Sequence, residues 1–211
     1  MYEASVEPQL DQTPGGGPSL EDLTSDERRR LQAGDPAILD HFYSTYFERV
    51  YGYVRRLLRE EHLAEDVTQD IFMHIHRSLP SYDPERELRP WVFTIATNKV
   101  RDFWRSRRFH DSKRESGNDG DAQNLVPTSA RGPSELTEAS ELSQTVRAAV
   151  DQLPEGMRTT LLLRYYEGMS FSDIGLVVDR NETAVRKRYS RALEELRELL
   201  GKFQDSKNRT T

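Results

Sequence analysis

The sequence predicts an all-α protein made of two small helical domains joined by a flexible linker, with a helix-turn-helix in the second domain. Three observations lead to this prediction. Apolar residues recur at spacings of three and four over long stretches, which is the period of an amphipathic α-helix. No alternating pattern of useful length indicates a strand. The helical period is lost in the middle of the chain, where Ser, Gly, Asp and Asn dominate.

Composition describes a polar, acidic chain without cysteine. Of its 211 residues, 35% are apolar and 31% are charged, so part of the chain is expected to stay unburied. The absence of cysteine excludes disulfides and thiolate metal sites. The start, "MYEASVEPQL", lacks the features of a secretory signal, and no run reaches the roughly 18 apolar residues of a membrane span. These features predict a cytoplasmic protein without direct membrane insertion.

Three segments are predicted to lie outside the two domains. Residues 1–24 contain "TPGGGPS" and scattered acids, which is typical of a disordered arm. Residues 109–139 have no apolar period and are rich in small polar residues, which predicts a flexible linker. The last segment, 202–211, is polar and is expected to be a disordered tail.

The first domain, residues 25–108, is predicted to contain three helices. Asp35 can cap the first helix, whose first turn contains Pro36, and Pro80 ends the second. Pro90 opens the third helix, which ends in "RDFWRSRR". The apolar positions of the three helices are Ile38, Leu39, Phe42, Tyr46, Val50, Tyr53, Val54, Leu57 and Leu58, then Ala64, Val67, Ile71, Ile75 and Leu79, then Val92, Ile95, Ala96, Val100 and Phe103.

The second domain, residues 140–201, is predicted to end in two helices joined by a tight turn. Ser170 is an expected N-cap with Asp173 three residues later, and Phe171 then begins a short apolar helix. The connection "DRN" follows, and its Asn181 can cap the next helix through its side-chain oxygen. Two short helices with a three-residue connection form a helix-turn-helix.

Basic residues are concentrated at the start of the last helix, although the formal net charge of the chain is -6. Its apolar stripe consists of Val185, Tyr189, Ala192, Leu193, Leu196 and Leu200. At about 100° per residue, the opposite face carries Thr183, Lys187, Ser190 and Arg191, and the stripe is flanked by Arg186 and Arg188. A recognition helix presents this N-terminal part to the major groove of DNA. The alternative is a solvated charged face, supported by pairs such as Arg191 and Glu195.

The third helix of the first domain interleaves basic and aromatic residues in "RPWVFTIATNKVRDFWRSRR". Cations can meet phosphates and rings can stack on unpaired bases, so the pattern suits a single-stranded nucleic acid. The alternative is that the aromatic residues are core and the arginines are solvated. Phe103 falls on the apolar stripe and is assigned to the core.

Three stretches together resemble one family. They are "GDPAILDHFYSTYFERVYGYV", then "EDVTQDIFMHIHRSLPSYDPERELRPWVFTIATNKVRDFWRSRR", then "LPEGMRTTLLLRYYEGMSFSDIGLVVDRNETAVRKRYSRALEELREL". In kind and in order they are similar to sigma regions two and four of the extracytoplasmic-function (ECF) sigma factors. The resemblance implies binding to core RNA polymerase, through the clamp coiled coil of its largest subunit, and to promoter DNA. An anti-sigma factor is a further partner that the resemblance implies.

The resemblance also implies roles for individual residues. Contacts to the polymerase are expected at Asp66, Gln69, Asp70 and Phe72, with a core role as the alternative for Phe72. Contacts to the −10 element are expected at Asn98, Lys99, Arg101, Asp102, Trp104 and Arg105, beside a "SYDPEREL" loop that receives a flipped-out base. Contacts to the −35 element are expected at Thr183, Arg186, Lys187, Arg188, Ser190 and Arg191. Many relatives have Gly at the position of Asp179, which can adopt the same left-handed turn.

Other functions remain alternatives at this point. A stand-alone helix-turn-helix regulator would bind DNA without polymerase, and a sigma-mimicking interaction protein would lack the basic faces. An enzyme is not expected, because no phosphate loop or nucleophile motif is present. No metal or other cofactor is expected either, since His74 and His76 are two residues apart and therefore lie on different faces of a helix.

Overall fold

A computed structural model describes residues 23–116 and 138–208 of the chain, and it describes side chains for residues 23–107 and 144–203. Within these ranges the chain is helical and contains no strand, so the all-α prediction is confirmed. The elements are α1 (Ser25–Gln32), α2 (Pro36–Leu58), α3 (Glu61–Ser78), a 3₁₀ turn (Leu79–Ser81), α4 (Leu88–Ser116), α5 (Glu138–Gln152), α6 (Glu155–Tyr165), α7 (Phe171–Val178) and α8 (Glu182–Asn208).

The first half of the chain is a small core made by α2, α3 and α4. The predicted stripes are its interior: Phe42, Val54, Ile71 and Val100 are fully or almost fully buried. Asp35 caps α2 by accepting a hydrogen bond from the backbone N–H of Ala37 at 3.0 Å, as predicted. The helix positions therefore follow from the apolar period and from these start signals.

Helix α1 was not predicted as a separate element. Its N-cap Thr24 and Glu27 form a reciprocal capping box, and Leu31 is fully buried. Arg28 is also buried, and its guanidinium donates to the backbone carbonyls of Leu23 and Pro84. These bonds tie α1 to the loop before α4. A helix of eight residues with one buried leucine is too short to show an apolar period.

Two helices extend further than the sequence predicted. Helix α4 continues to Ser116, eight residues beyond the predicted end of the first domain at Arg108, and α8 continues to Asn208. Neither extension contains Pro or Gly, so nothing in it interrupts the backbone hydrogen bonds of the helix. Residues 1–22 of the predicted arm, 117–137 of the predicted linker and 209–211 of the predicted tail lie outside the described residues, whereas Leu23 at the end of the arm is buried and Thr24 caps α1.

The predicted helix-turn-helix is formed by α7 and α8. Ser170 caps α7 by accepting from the backbone N–H of Asp173, and Asn181 caps α8 by accepting from Ala184 at 2.8 Å. Asp179 adopts the left-handed conformation with φ 55, as expected for a residue that replaces glycine there. The turn is very close: a Cβ added to Gly175 would lie 2.6 Å from the carbonyl oxygen of Arg180.

The two halves are in direct contact, which the sequence did not predict. Helix α7 packs on α4, and α6 approaches α2. Helices α5, α6, α7 and α8 form the second core, in which Leu163, Ile174, Val185 and Ala192 are fully buried. The side of α4 that does not face its own core is therefore partly covered by the other half of the chain.

The Gly175→Ala variant should be less stable than the wild type, because the methyl group would collide with the backbone of the turn. We expect a loss of about 1–3 kcal/mol in the free energy of unfolding. The matched control is Gly201→Ala in α8, where nothing lies within 4 Å of an added Cβ. That substitution should be neutral or stabilise by up to about 1 kcal/mol. Thermal unfolding followed by circular dichroism measures both, and equal midpoints would contradict the role of Gly175.

Candidate nucleic-acid interface

The start of α8 presents the basic surface that the sequence predicted. Val185 and Ala192 are fully buried on the inner side, while Thr183, Lys187 and Arg191 are exposed on the outer side. Ser190 is half-buried between them. The buried stripe thus fixes the rotation of the helix and turns the cations toward solvent. The N-terminal end of the helix adds its own partial positive charge to this surface.

Arg186 is exposed but held in place. Two of its nitrogens contact one carboxylate oxygen of Glu182, at 2.9 and 2.7 Å. Its guanidinium carbon also lies 4.6 Å from the ring centroid of Phe171 in α7. The side chain is therefore positioned before any ligand arrives, although an exposed pair of this kind is weak and can be exchanged for a phosphate or a base.

Arg188 differs from the other predicted −35 residues, because it is half-buried and turned toward the rest of the protein. A Cβ added to Gly156 at the start of α6 would lie 3.5 Å from its Nη1. Burial, and then the neighbouring guanidiniums of Arg180 and Arg101, lower the pKa of Arg188. Arg101 belongs to α4, so the two predicted DNA-binding helices bring like charges close together.

Helix α4 combines exposed polar residues with half-buried ones. Asn98, Asp102 and Arg105 are exposed, and Arg105 pairs with Asp102 at 3.2 Å. Lys99, Arg101 and Trp104 are half-buried, and Trp104 packs against the core. Phe103 also packs on the core, as assigned from the sequence. The exposed strip of α4 is thus polar, and its aromatic neighbours are only partly available.

The "SYDPEREL" loop is built around one buried aromatic ring. Tyr82 is almost fully buried, and its hydroxyl donates to the backbone carbonyl of Arg86. Its ring centroid lies 4.7 Å from that of Trp91 in α4. Asp83 and Glu85 are exposed at the tip, where the backbone N–H of Glu85 donates to Asp83. The loop is therefore anchored on the first turns of α4 and exposes a polar tip.

A groove between α2 and α3 has a volume of about 770 Å³. Phe72 forms part of its floor: the ring is buried, with centroids 5.4 Å from Phe47 and 5.6 Å from Tyr43. Phe47 and Met73 also line the groove, and they are 46% and 47% exposed. Core packing and groove lining are therefore both roles of Phe72.

The other three predicted polymerase contacts lie on α3 beside the groove. Gln69 lines the groove, and Asp66 and Asp70 are exposed. Phe47 and Met73 were not among the contacts predicted from the sequence. Each is a large apolar residue outside the apolar stripe of its helix. A single residue of this kind is ordinary, and only their position in one groove makes them part of an apolar patch that indicates an interaction site.

Residues 23–116 and 138–208 contain no cluster of acidic, histidine or cysteine side chains that could hold a metal ion. Among the helices in those ranges, none is both long and apolar enough to cross a membrane.

Comparison with known proteins identifies both halves. The family model described as Sigma-70 region 2 matches residues 42–110, and that described as Sigma-70, region 4 matches residues 143–196. The RNA polymerase sigma factor CarQ of Myxococcus xanthus is 31% identical over 83% of this chain and 96% of its own length. The ECF RNA polymerase sigma factor SigE of Mycolicibacterium smegmatis is 32% identical over 93% of this chain and 71% of that relative.

The chain belongs to the ECF family of RNA polymerase sigma factors. In this ECF sigma factor, the region-two match spans most of α2 and reaches into α4, and the region-four match runs from α5 into α8. A match in both halves supports the sigma factor over a stand-alone helix-turn-helix regulator.

The fold also resembles solved sigma factor structures. The sigma factor RpoE from Bartonella quintana, in a complex with the anti-sigma factor NepR, superposes with a TM-score of 0.63 at 21% identity. That superposition covers 77% of this chain and 96% of the solved one. The ECF sigma factor therefore shares its helical arrangement with a relative of low sequence identity.

Proposed function

We propose that this ECF sigma factor binds core RNA polymerase through the α2–α3 groove and directs it to promoters through α4 and α8. The observation that carries the proposal is the start of α8, where a buried apolar stripe turns Lys187 and Arg191 outward beside Arg186. The chain acts in this proposal as an initiation factor without catalytic activity of its own. It works in the cytoplasm, where polymerase and chromosomal DNA meet.

Helix α8 is proposed to read the −35 element as a duplex. Arginine can donate two hydrogen bonds to the edge of a guanine in the major groove, which gives sequence preference. Lys187 adds a cation at the same face, and Thr183 stands at the N-terminal end where phosphate binds favourably. Ser190 completes the outer face, whereas Arg188 is expected to contribute only after it leaves its half-buried position.

Helix α4 is proposed to capture the −10 element as a single strand. Separating bases costs a few kcal/mol, which stacking and phosphate contacts on the protein can offset. Asn98, Asp102 and Arg105 supply exposed polar groups, with the loop anchored on the first turns of α4 as the place for a flipped base. Lys99, Arg101 and Trp104 are the half-buried members of the same surface.

The groove is proposed to receive the coiled coil of the polymerase clamp. A helix binds a groove by placing apolar side chains into it, and Phe47 and Met73 offer exposed apolar surface for that contact. Gln69 lines the same groove, and Asp66 and Asp70 are exposed on the same helix, so these side chains can fix orientation by polar contacts. An anti-sigma factor remains a proposed partner that would compete for one or more of these surfaces.

Replacing Arg186 and Arg191 with Ala should weaken transcription from promoters that depend on a −35 element. Each lost base contact is worth about 1–3 kcal/mol, so promoter affinity should fall about 10-fold or more. The measurement is run-off transcription with purified bacterial core polymerase and a promoter library. Binding to core polymerase should be unchanged, because neither residue lines the groove.

The control for this experiment is Glu195→Ala, which removes a charge from the acidic part of α8. Its transcription should match that of the wild type. Absence of any transcript from wild-type holoenzyme would overturn the proposed function, and loss of core binding in the arginine variant would overturn the division of roles between the halves.

Replacing Gln69 and Met73 with Ala should weaken core polymerase binding while the protein stays folded, because both side chains are exposed. We expect a loss of about 1–2 kcal/mol, or about 5- to 30-fold in Kd. Fluorescence titration with core polymerase measures the change. His74→Ala is the matched control, because His74 is exposed on the same helix but does not line the groove. Equal affinities for the two variants would contradict docking in the groove.

A further inference from the structure

The contact between the two halves is centred on a buried carboxylate. Glu167 follows α6, and only 5% of its side chain is exposed. Its Oε2 accepts a hydrogen bond from Nε of Arg49 in α2 at 3.0 Å, and it lies 2.8 Å from Nη2 of the same arginine in an ion pair. Arg89 in α4 donates to the backbone carbonyl of the same glutamate at 3.3 Å. One residue of the second half is thus held by two helices of the first half.

Further polar contacts surround this pair. The Arg56 guanidinium lies 4.0 Å from the ring centroid of Tyr166, and it occupies space that Gly52 leaves open. Arg59 pairs with Asp151 at 3.2 Å on the rim of the contact. The first half therefore presents arginines to an acidic and aromatic surface of the second half.

A further contact joins the two cores. Arg158 in α6 donates to the carbonyl of Leu57 at the end of α2, at 3.4 Å, and to the carbonyls of Asp151 and Leu153 in its own half at 2.9 Å. Backbone carbonyls at the end of a helix have no partner within the helix. Arg158 supplies one to Leu57 only while the halves are together.

The burial of Glu167 depends on the contact between the two halves, which supplies its partner Arg49. Burial raises the pKa of its carboxyl group, although the neighbouring Arg49, Arg89 and Arg56 act in the opposite direction. Removing one partner of such a pair leaves an uncompensated charge in a buried place, which is strongly unfavourable. When the halves separate, water solvates both charges. The buried arrangement is therefore favourable only while Glu167 and Arg49 remain paired.

The closed arrangement is incompatible with simultaneous contact to both promoter elements. The elements are centred about 25 base pairs apart, which is roughly 85 Å at ~3.4 Å per base pair of duplex. Here α7 of the helix-turn-helix packs directly on α4, which carries the proposed −10 residues. Arg188 of α8 also lies close enough to Arg101 of α4 to interact with it electrostatically. The two reading surfaces must separate before they can reach their elements.

We propose that the free chain is held in a self-inhibited, closed form by the Glu167–Arg49 contact, and that promoter engagement requires this contact to break. The inhibitory role rests on the proposed function of α4 and α8, whereas the closed form itself does not. Repulsion between Arg101 and Arg188 opposes closure. The buried Glu167–Arg49 pair and the Asp151–Arg59 pair on the rim favour closure, so the balance between open and closed forms is sensitive to the charge of Glu167.

Charge reversal at the contact tests the proposal. The chain has no cysteine, so His62→Cys and Leu176→Cys give one unique labelling site in each half for energy-transfer measurements. Both positions are well exposed, with 98% of the His62 side chain and 68% of Leu176 accessible. In this background, Glu167→Lys faces three arginines, and Arg49→Glu places two carboxylates together. Each single variant should raise the ratio of open to closed molecules about tenfold or more.

The double variant Arg49→Glu with Glu167→Lys restores an opposite pair and should return energy transfer toward the wild-type value. Glu85→Lys is the matched control, because Glu85 pairs with Arg29 at 2.7 Å within the first half and is exposed. It should leave the transfer efficiency unchanged. Circular dichroism identifies folded variants, and Arg49→Glu tests the contact from the other half if Glu167→Lys does not fold.

Equal transfer efficiencies in the wild type and both single variants would overturn the closed form, and so would additive effects in the double variant. A second readout is binding of the free chain to −35 duplex DNA, which the open variants should bind several-fold more tightly, because more molecules are binding-competent. If opening occurs without tighter binding, the inhibitory role is wrong. Run-off transcription with core polymerase tests the proposed function separately, since energy transfer is measured without polymerase or DNA.

Discussion

The structure depends on α4 being packed on two sides at once. Toward α2 and α3, it buries Val92, Phe93 and Ala96 completely, and Thr97 forms a hydrogen bond of 2.8 Å with the hydroxyl of Tyr53. On another side it packs against α7 of the second half. Only a narrow strip remains for polar residues. Any movement of α4 therefore changes the first core, the contact between the halves and the proposed −10 surface together.

The helices of both cores could be predicted because burial of one helix face places apolar residues at regular spacings of three and four in the sequence. Asp35, Ser170 and Asn181 could also be assigned as caps, since each is a short polar residue directly before an apolar period. Helix α1 could not be recognised in this way, because Arg28 anchors it as much as Leu31 does. The extension of α4 left no signal either, since polar residues occur both in linkers and in solvated helices.

The candidate surfaces were predicted less completely than the helices that carry them. The outer face of α8 could be predicted from the apolar stripe on its opposite side. The inward orientation of Arg188 could not, because it depends on packing against α6, an earlier helix in the chain. The groove shows the same limit: Phe47 and Met73 become neighbours only when α2 and α3 pack together. The Glu167–Arg49 pair joins positions 118 residues apart. Nothing in the sequence around a single charged residue identifies a distant ion-pair partner.

The close turn at Gly175 separates folding from recognition. The angle between α7 and α8 is fixed by backbone contact at Gly175, by the left-handed Asp179 and by the cap at Asn181. None of these residues belongs to the outer face of α8. Lys187 and Arg191 can therefore be exchanged without disturbing the geometry that presents them. Natural selection can then alter which genes such a protein activates at little cost in stability, so related regulators can diverge in target while keeping one scaffold.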